Sequence, residues 1–211
     1  MNRLAVIAGT IVALSVLSWF FPLFHVVSRE VIRAEKESAE FHAADFVRGF
    51  WATKLTPALA DSADVAAVLA AYHDSPEEAR TQFGRSVGIG RSTLYFVRGS
   101  GTITSVDKKQ IVVALTDDAS GPHVALQTGL LFGNTVRDAT GLLNGDDFPN
   151  SQQFNEISTE LNRKIESSVL PELKAAAKVG ASIEFVGAAE VANEARDLAP
   201  LKIVPIEAKV K

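Results

Sequence analysis

The residues best suited to chemistry lie in one polar stretch, GLLFGNTVRDATGLLNGDDFPN, at 129–150. This stretch contains Thr135, Arg137, Asp138 and Asn150. An arginine fork can hold a carboxylate or adjacent hydroxyls with two parallel hydrogen bonds, a geometry that lysine cannot reproduce. The surrounding amides and hydroxyls would suit a sugar, a polyol or a peptide backbone. We therefore predict that these four residues line one ligand- or partner-binding site, with Arg137 as its anchor.

A structural role for the same residues is the alternative. Arg137 and Asp138 could pair with other charges to hold an irregular loop, while the Asn and Asp residues set turn geometry. A calcium loop is disfavoured, because the run Asn144-Gly145-Asp146-Asp147 lacks the alternating ligand spacing and the terminal Glu of such loops. One substitution distinguishes the binding role from the structural role: Arg137→Lys would abolish binding if the residue holds a ligand or partner, and would lower stability if it holds the loop.

Catalytic and metal-binding patterns are absent from the sequence. The histidines, at positions 25, 42, 73 and 123, are scattered and show no HxxxH, HxH or HExxH spacing. No nucleophile elbow, phosphate-binding loop or dinucleotide fingerprint occurs. The sequence thus predicts no enzyme, no metal and no cofactor.

An uncharged apolar run at 4–24, LAVIAGTIVALSVLSWFFPLF, is long enough to cross a bilayer. It ends in bulky aromatic residues, without a small-x-small cleavage site, and this predicts an uncleaved signal anchor at 1–28. The Lys and Arg residues that flank the run favour a C-terminal domain on the cytoplasmic side of the membrane. The short positive start followed by an apolar run, which resembles a secretory signal, favours export of that domain. From these residues alone the orientation stays open.

Composition limits what the remainder can do. The formal net charge of -4 argues against a nucleic-acid partner, which would call for a clustered basic face. The chain has 0 Cys, which is compatible with either redox compartment. About 170 residues lie beyond the anchor and its linker, the size of a single domain.

The hydrophobic period divides this domain in two. Residues 29–91 have helical spacing and predict a helical segment that packs on the strand-forming half of the domain. From residue 92 the period changes to 2, which predicts three strands, a long helix at 151–177 and two further strands. This order predicts an α+β fold in which 92–211 form a small antiparallel five-stranded OB-like barrel with a helix between strands 3 and 4. We expect Phe154, Ile157, Leu161 and Ile165 to plug one end or side of it.

Several motifs together resemble a known bacterial family. VRGSGTITSV, GNTVRDA, DDFPN with Leu161-Asn162 beyond it, and EFVGA are similar to DUF2291, a family of predicted periplasmic lipoproteins. The matching positions are Gly133, Thr135, Arg137, Asp138, Phe148, Asn150 and Asn162. The chain departs from the family pattern in two ways: Ser151 separates Asn150 from Gln152, where an adjacent Asn-Gln pair is expected, and no lipid-bearing cysteine is present.

The resemblance implies a periplasmic domain, often encoded near sugar ABC transporters, and it implies no activity. With it, the orientation resolves to a single pass through the bacterial inner membrane at 4–24 with the C-terminal domain in the periplasm. We expect a non-catalytic accessory or binding module, its partner a sugar ABC transporter or that transporter's binding protein. The alternative is a structural or assembly protein that docks on a cell-envelope complex. A concave pocket around Arg137 would favour ligand binding, and a flat exposed apolar patch would favour docking.

Overall fold

A strongly bent strand organises the fold of this computed structural model, which describes residues 28–33, 41–86, 92–115 and 123–211. This strand, β2 (Thr93–Val106), pairs with β5 (Ser182–Val191) through its first ten residues and with β3 (Gln110–Ala114) through its last. At the change of partner, a Cβ on Gly101 would lie 2.0 Å from the Ala114 carbonyl oxygen. The bend therefore requires a glycine, as the sequence predicted.

The remaining strands close the barrel. β4 (His123–Gln127) is antiparallel to β3 and parallel to β6 (Leu201–Val210), which is antiparallel to β5. Because β5 also pairs with β2, the five strands form the closed order that was predicted for an OB-like barrel.

The fold prediction needs three corrections. The predicted barrel was antiparallel, whereas the β4–β6 pair is parallel. The sheet has six strands, since the two-residue β1 (Ala63–Asp64) adds in parallel to β2 at Val97 and Arg98. The predicted transmembrane helix is not supported, because no helix within the described residues is both long and apolar enough to cross a membrane. The span predicted for it, 4–24, lies outside the described residues.

The chain divides into two units, Met1–Glu40 and Phe41–Lys211. In the first unit, the described residues form a short helical turn at 29–33. The second contains the barrel and the helices α1 (Ala43–Phe50), α2 (Thr56–Ala58), α3 (Val65–Asp74), α4 (Pro76–Phe83), α5 (Thr135–Thr140), α6 (Ser151–Lys164), α7 (Leu170–Ala176) and α8 (Glu194–Asp197). A π-helical turn, Trp51–Leu55, joins α1 to α2, and another, Ile165–Val169, joins α6 to α7.

Short polar side chains fix the starts of several helices. Asp64 caps α3 by accepting hydrogen bonds from the backbone N–H of Ala66 and Ala67, at 2.8 and 3.3 Å. The Ser62 hydroxyl, two residues earlier, donates to the Leu59 carbonyl and so does not cap α3.

One hydrophobic core fills the barrel. It joins inward-facing residues of the strands to α3 and α4, and its members include Val65, Val68, Ala79, Val97, Ile111, Val124, Leu126, Ile183, Phe185 and Ile203. Tyr72 and Tyr95 also belong to this core, and their hydroxyls share a 2.6 Å hydrogen bond. Burial raises the pKa of both phenols, so they stay neutral across the physiological range.

A second core lies on the outer side of the same strands. Alternate residues of β2, β5 and β6, namely Leu94, Ala188, Val204 and Ile206, pack against helices α1, α5 and α6. Ile157, Leu161 and Ile165 belong to this outer core, with Phe154 partly buried at its margin. The long helix thus covers one side of the barrel. Near its C-terminal end, Leu173 in α7 belongs to the interior core instead.

Candidate functional site

Arg137 and Asp138 lie side by side in α5, a helix that the sequence analysis had treated as part of an irregular stretch. The Arg137 Nε and Nη2 donate to the two carboxylate oxygens of Asp138, at 2.6 and 3.1 Å. Its Nη1 donates to the Phe154 carbonyl at 2.9 Å and to the Asn155 amide oxygen at 3.3 Å. The guanidinium therefore ties α5 to the first turns of α6.

Arg137 is also buried. Its side chain is 5 % exposed and that of Asp138 is 12 % exposed. The guanidinium carbon lies 3.6 Å from the centre of the Phe154 ring, in cation–π geometry. With three nitrogens bonded within the protein and one face covered by an aromatic ring, this side chain supports the structure of the α5–α6 junction.

The other two predicted site residues have separate contacts. The Thr135 hydroxyl donates to the Glu190 carboxylate on β5 at 3.3 Å. The Asn150 amide oxygen accepts from the backbone N–H of Gln153 at 2.9 Å and so caps α6. The structure thus joins Arg137 to Asp138, while Thr135 and Asn150 each hold a different element. A shared ligand site for the four stays a prediction.

The site that sequence reasoning missed is the segment 129–134 between β4 and α5, called here the clamped loop. Its Leu130 and Phe132 are exposed over 76 % and 80 % of their surfaces, whereas Leu131 between them is 6 % exposed. Two large apolar side chains therefore point outward beside one that is anchored in the outer core. The sequence feature that could have indicated this loop is the run of three apolar residues, Leu130-Leu131-Phe132, within a polar stretch, which is unusual for a surface loop.

Two side chains of the long helix hold this loop. The Leu131 N–H donates to the Glu166 carboxylate at 2.6 Å, and the Asn162 amide donates to the Gly133 carbonyl at 3.0 Å. Both bonds are partly buried, and Gly133 takes a positive φ of 80° that other residues rarely adopt. Leu130 and Phe132 are consequently presented on a backbone that is fixed on both sides.

Phe132 forms a wall shared by two clefts. The first, of about 350 Å³, runs along α6 and includes Asn134, Asn155 and Thr159. The second, of about 310 Å³, lies over β5 and β6 and includes Thr135, Glu190, Arg196 and Lys202. The loop therefore combines an exposed apolar tip with hydrogen-bonding groups and both signs of charge on its flanks.

The residues that the structure describes contain no group of side chains suited to bind a metal ion. Among the described residues, no three His, Cys, Asp or Glu side chains come together as a cation site. His42, His73 and His123 lie on different elements, and His25 lies outside the described residues.

Similarity to known proteins agrees with this architecture. An OB-fold protein from Thermotoga maritima is similar in structure, with a TM-score of 0.71 and 26 % sequence identity over 81 % of this chain and 99 % of that chain. None of the curated proteins compared with the chain matches it.

The family comparison covers nearly the whole sequence. The family DUF2291, described as predicted periplasmic lipoprotein, matches residues 11–209, and this description supports a periplasmic location. The chain contains no cysteine, the residue that carries the lipid in a lipoprotein. Since the match spans far more than half of the sequence, the chain belongs to the DUF2291 family.

Proposed function

We propose that this protein is a non-catalytic periplasmic accessory module that docks on a partner protein through Leu130 and Phe132 of the clamped loop. The observation that carries the proposal is the exposure of these two side chains on a backbone held by Glu166 and Asn162. Exposed apolar side chains that lie near one another on a fixed backbone are the kind of surface that a protein partner covers.

The clamp matters because rigid presentation lowers the entropic cost of binding. A loop that is already ordered loses little freedom when a partner covers it. Full burial of a Leu or Phe side chain is worth about 1.5–3 kcal/mol, so the pair would supply a substantial share of a micromolar affinity. The polar flanks, including Thr135 and Lys202, would form the hydrogen-bonding rim that surrounds such an apolar centre.

A protein partner is favoured over a small ligand at Arg137. A ligand-binding arginine needs free N–H groups, and here four of the five N–H donors already bond to Asp138, Phe154 or Asn155. The exposed apolar surface lies instead at the clamped loop.

For the identity of the partner we rely on the resemblance to DUF2291, which associates the family with sugar ABC transporters. We propose that Leu130 and Phe132 contact the substrate-binding protein of such a transporter. Assembly on another envelope complex would use the same surface, and the captured partner distinguishes the two functions.

The test is site-specific photocrosslinking in cells. A benzoylphenylalanine at position 132 should crosslink to the substrate-binding protein of a sugar ABC transporter. The matched control carries it at position 179, because Val179 is also apolar and 68 % exposed but lies outside the loop. Crosslinking to a different envelope protein would favour the assembly function.

A pair of substitutions tests the energetics. Leu130→Ser with Phe132→Ser should weaken binding to the purified binding protein at least about tenfold while leaving the melting temperature within about 2 °C. Val179→Ser should change neither quantity. Equal crosslinking at positions 132 and 179, or unchanged affinity in the double variant, would contradict docking through this loop.

A further inference from the structure

Arg85 is exceptional among the arginines of the barrel unit. Within 41–86, 92–115 and 123–211, it is the one arginine whose side chain has neither an ion pair nor a hydrogen bond. The other six each have an acceptor: Arg48 with Asp45, Arg80 with Glu194, Arg98 with the Ala60 carbonyl, Arg137 with Asp138, Arg163 with Glu160 and Arg196 with Asp197.

The Arg85 backbone is nevertheless held in place. Its backbone N–H and carbonyl both bond to Leu94, at 2.8 and 2.9 Å, which fixes its Cα at the edge of β2. Its guanidinium rests on Gly141, where a Cβ would lie 2.1 Å from the Arg85 Cζ. Arg85 is exposed, so its guanidinium is open to a ligand from solvent while its backbone is fixed.

The cleft beside Arg85 has a volume of about 380 Å³. Asp61 and Gln82 line it, and the described residues provide no hydrogen-bond or ion-pair partner for the Asp61 carboxylate. Opposite charges thus share one cleft without pairing with each other. The rest of the lining is largely apolar: Ala58, Ala63, Phe83, Phe96, Ala139 and Leu142.

We infer that this cleft binds an α-amino acid with an apolar side chain. The α-carboxylate accepts two hydrogen bonds from the Arg85 fork, and the ammonium group pairs with Asp61. The side chain packs on the apolar lining, chiefly Phe83, Phe96 and Leu142. A phosphate is disfavoured, because the Asp61 carboxylate would repel its charge.

The site is separate from the clamped loop, so this inference does not depend on the proposed docking function. None of the residues that line it belongs to the segment 129–134. A volume of this size is at the lower end of small-molecule sites, in keeping with a single amino acid.

Three isosteric probes test it on the full-length protein by ligand-observed NMR titration. L-leucine carries both charges, leucinamide lacks the carboxylate, and 4-methylpentanoate lacks the ammonium group. We expect saturable binding of leucine, with each of the other two at least about tenfold weaker. No saturable binding of leucine, or equal binding of leucinamide, would overturn the inference, and equal binding of 4-methylpentanoate would overturn the role of Asp61.

Variants then assign the binding to this cleft. Arg85→Gln and Asp61→Asn should each weaken leucine binding at least about tenfold. Gly141→Ala should do the same by displacing the guanidinium. Gly180→Ala is its matched control, because Gly180 has a similar positive φ of 88° but open space around it. Leucine binding that survives in Arg85→Gln, or is lost equally in both glycine variants, would place the ligand elsewhere.

Discussion

Arg137→Lys is the substitution that most directly tests the role of the α5–α6 junction. Arginine makes four hydrogen bonds there, two to Asp138, one to the Phe154 carbonyl and one to the Asn155 side chain. The single nitrogen of a lysine cannot reach both the carboxylate and the carbonyl in that planar arrangement. The Phe154 ring also loses its guanidinium partner.

The size of the effect can be worked out from these contacts. Hydrogen bonds to charged groups contribute about 1.5–3 kcal/mol each, and part of the Asp138 interaction survives in a lysine. Loss of the carbonyl contact and of the ring stacking should lower the free energy of unfolding by about 2–4 kcal/mol. For a domain of this size, that corresponds to a melting temperature lower by about 5–15 °C.

Urea denaturation and thermal melting would measure this loss, with Arg48→Lys as the control. Arg48 pairs with Asp45 at 3.0 Å, but the two side chains are 75 % and 63 % exposed. Such a surface pair contributes little, so the control should change stability by less than about 0.5 kcal/mol. A melting temperature of Arg137→Lys within about 1 °C of the wild type would refute the structural role assigned to the guanidinium.

Three further predictions concern other parts of the molecule. Leu161→Ala should lower the free energy of unfolding by about 2–5 kcal/mol, measured by urea denaturation, because its fully buried side chain would leave a cavity in the outer core. Asn150→Ala should cost about 1 kcal/mol in the same assay, through the lost cap of α6. The pKa of Asp197 is held below its usual range by Arg196 and the Asn193 N–H. Its contribution to stability is therefore complete above pH about 4 and decreases as the pH falls towards the lowered pKa of the folded state, while NMR of the Asn193 amide should show the hydrogen bond itself persisting well below pH 4.

The regular elements were predictable because their signals are local. Ile157, Leu161 and Ile165 recur at helical spacing, and the structure has helical turns throughout 151–176. The alternation in β2 and its glycine bend likewise determine that strand. Which side of the barrel the helix covers was not predictable, because β2 and β6 have apolar residues on both faces, as the neighbours Leu94 and Tyr95 and the neighbours Ile203 and Val204 show.

The candidate site depended on contacts between distant residues. On α6, Phe154 and Asn155 accept hydrogen bonds from Arg137 and lie 17 and 18 residues beyond it in the sequence. Glu166, which accepts from the Leu131 N–H, lies 35 residues beyond Leu131. Composition indicates that Arg137 and Asp138 are polar groups in a loop-like stretch, but it cannot show that they are buried and paired. For the same reason, the different exposures of Leu130, Leu131 and Phe132 could not be read from three consecutive apolar letters.

The two-sided burial of the central strands has a consequence for how the domain unfolds. Residues of β5 alternate between the interior core, as Ile183 and Phe185 do, and the outer core, as Ala188 does. Loss of β5 would therefore disrupt both cores at once, and we expect them to be lost in a single cooperative step. Backbone amides of β5 should then exchange with solvent deuterium only through global opening, at the same rate on both faces of the strand.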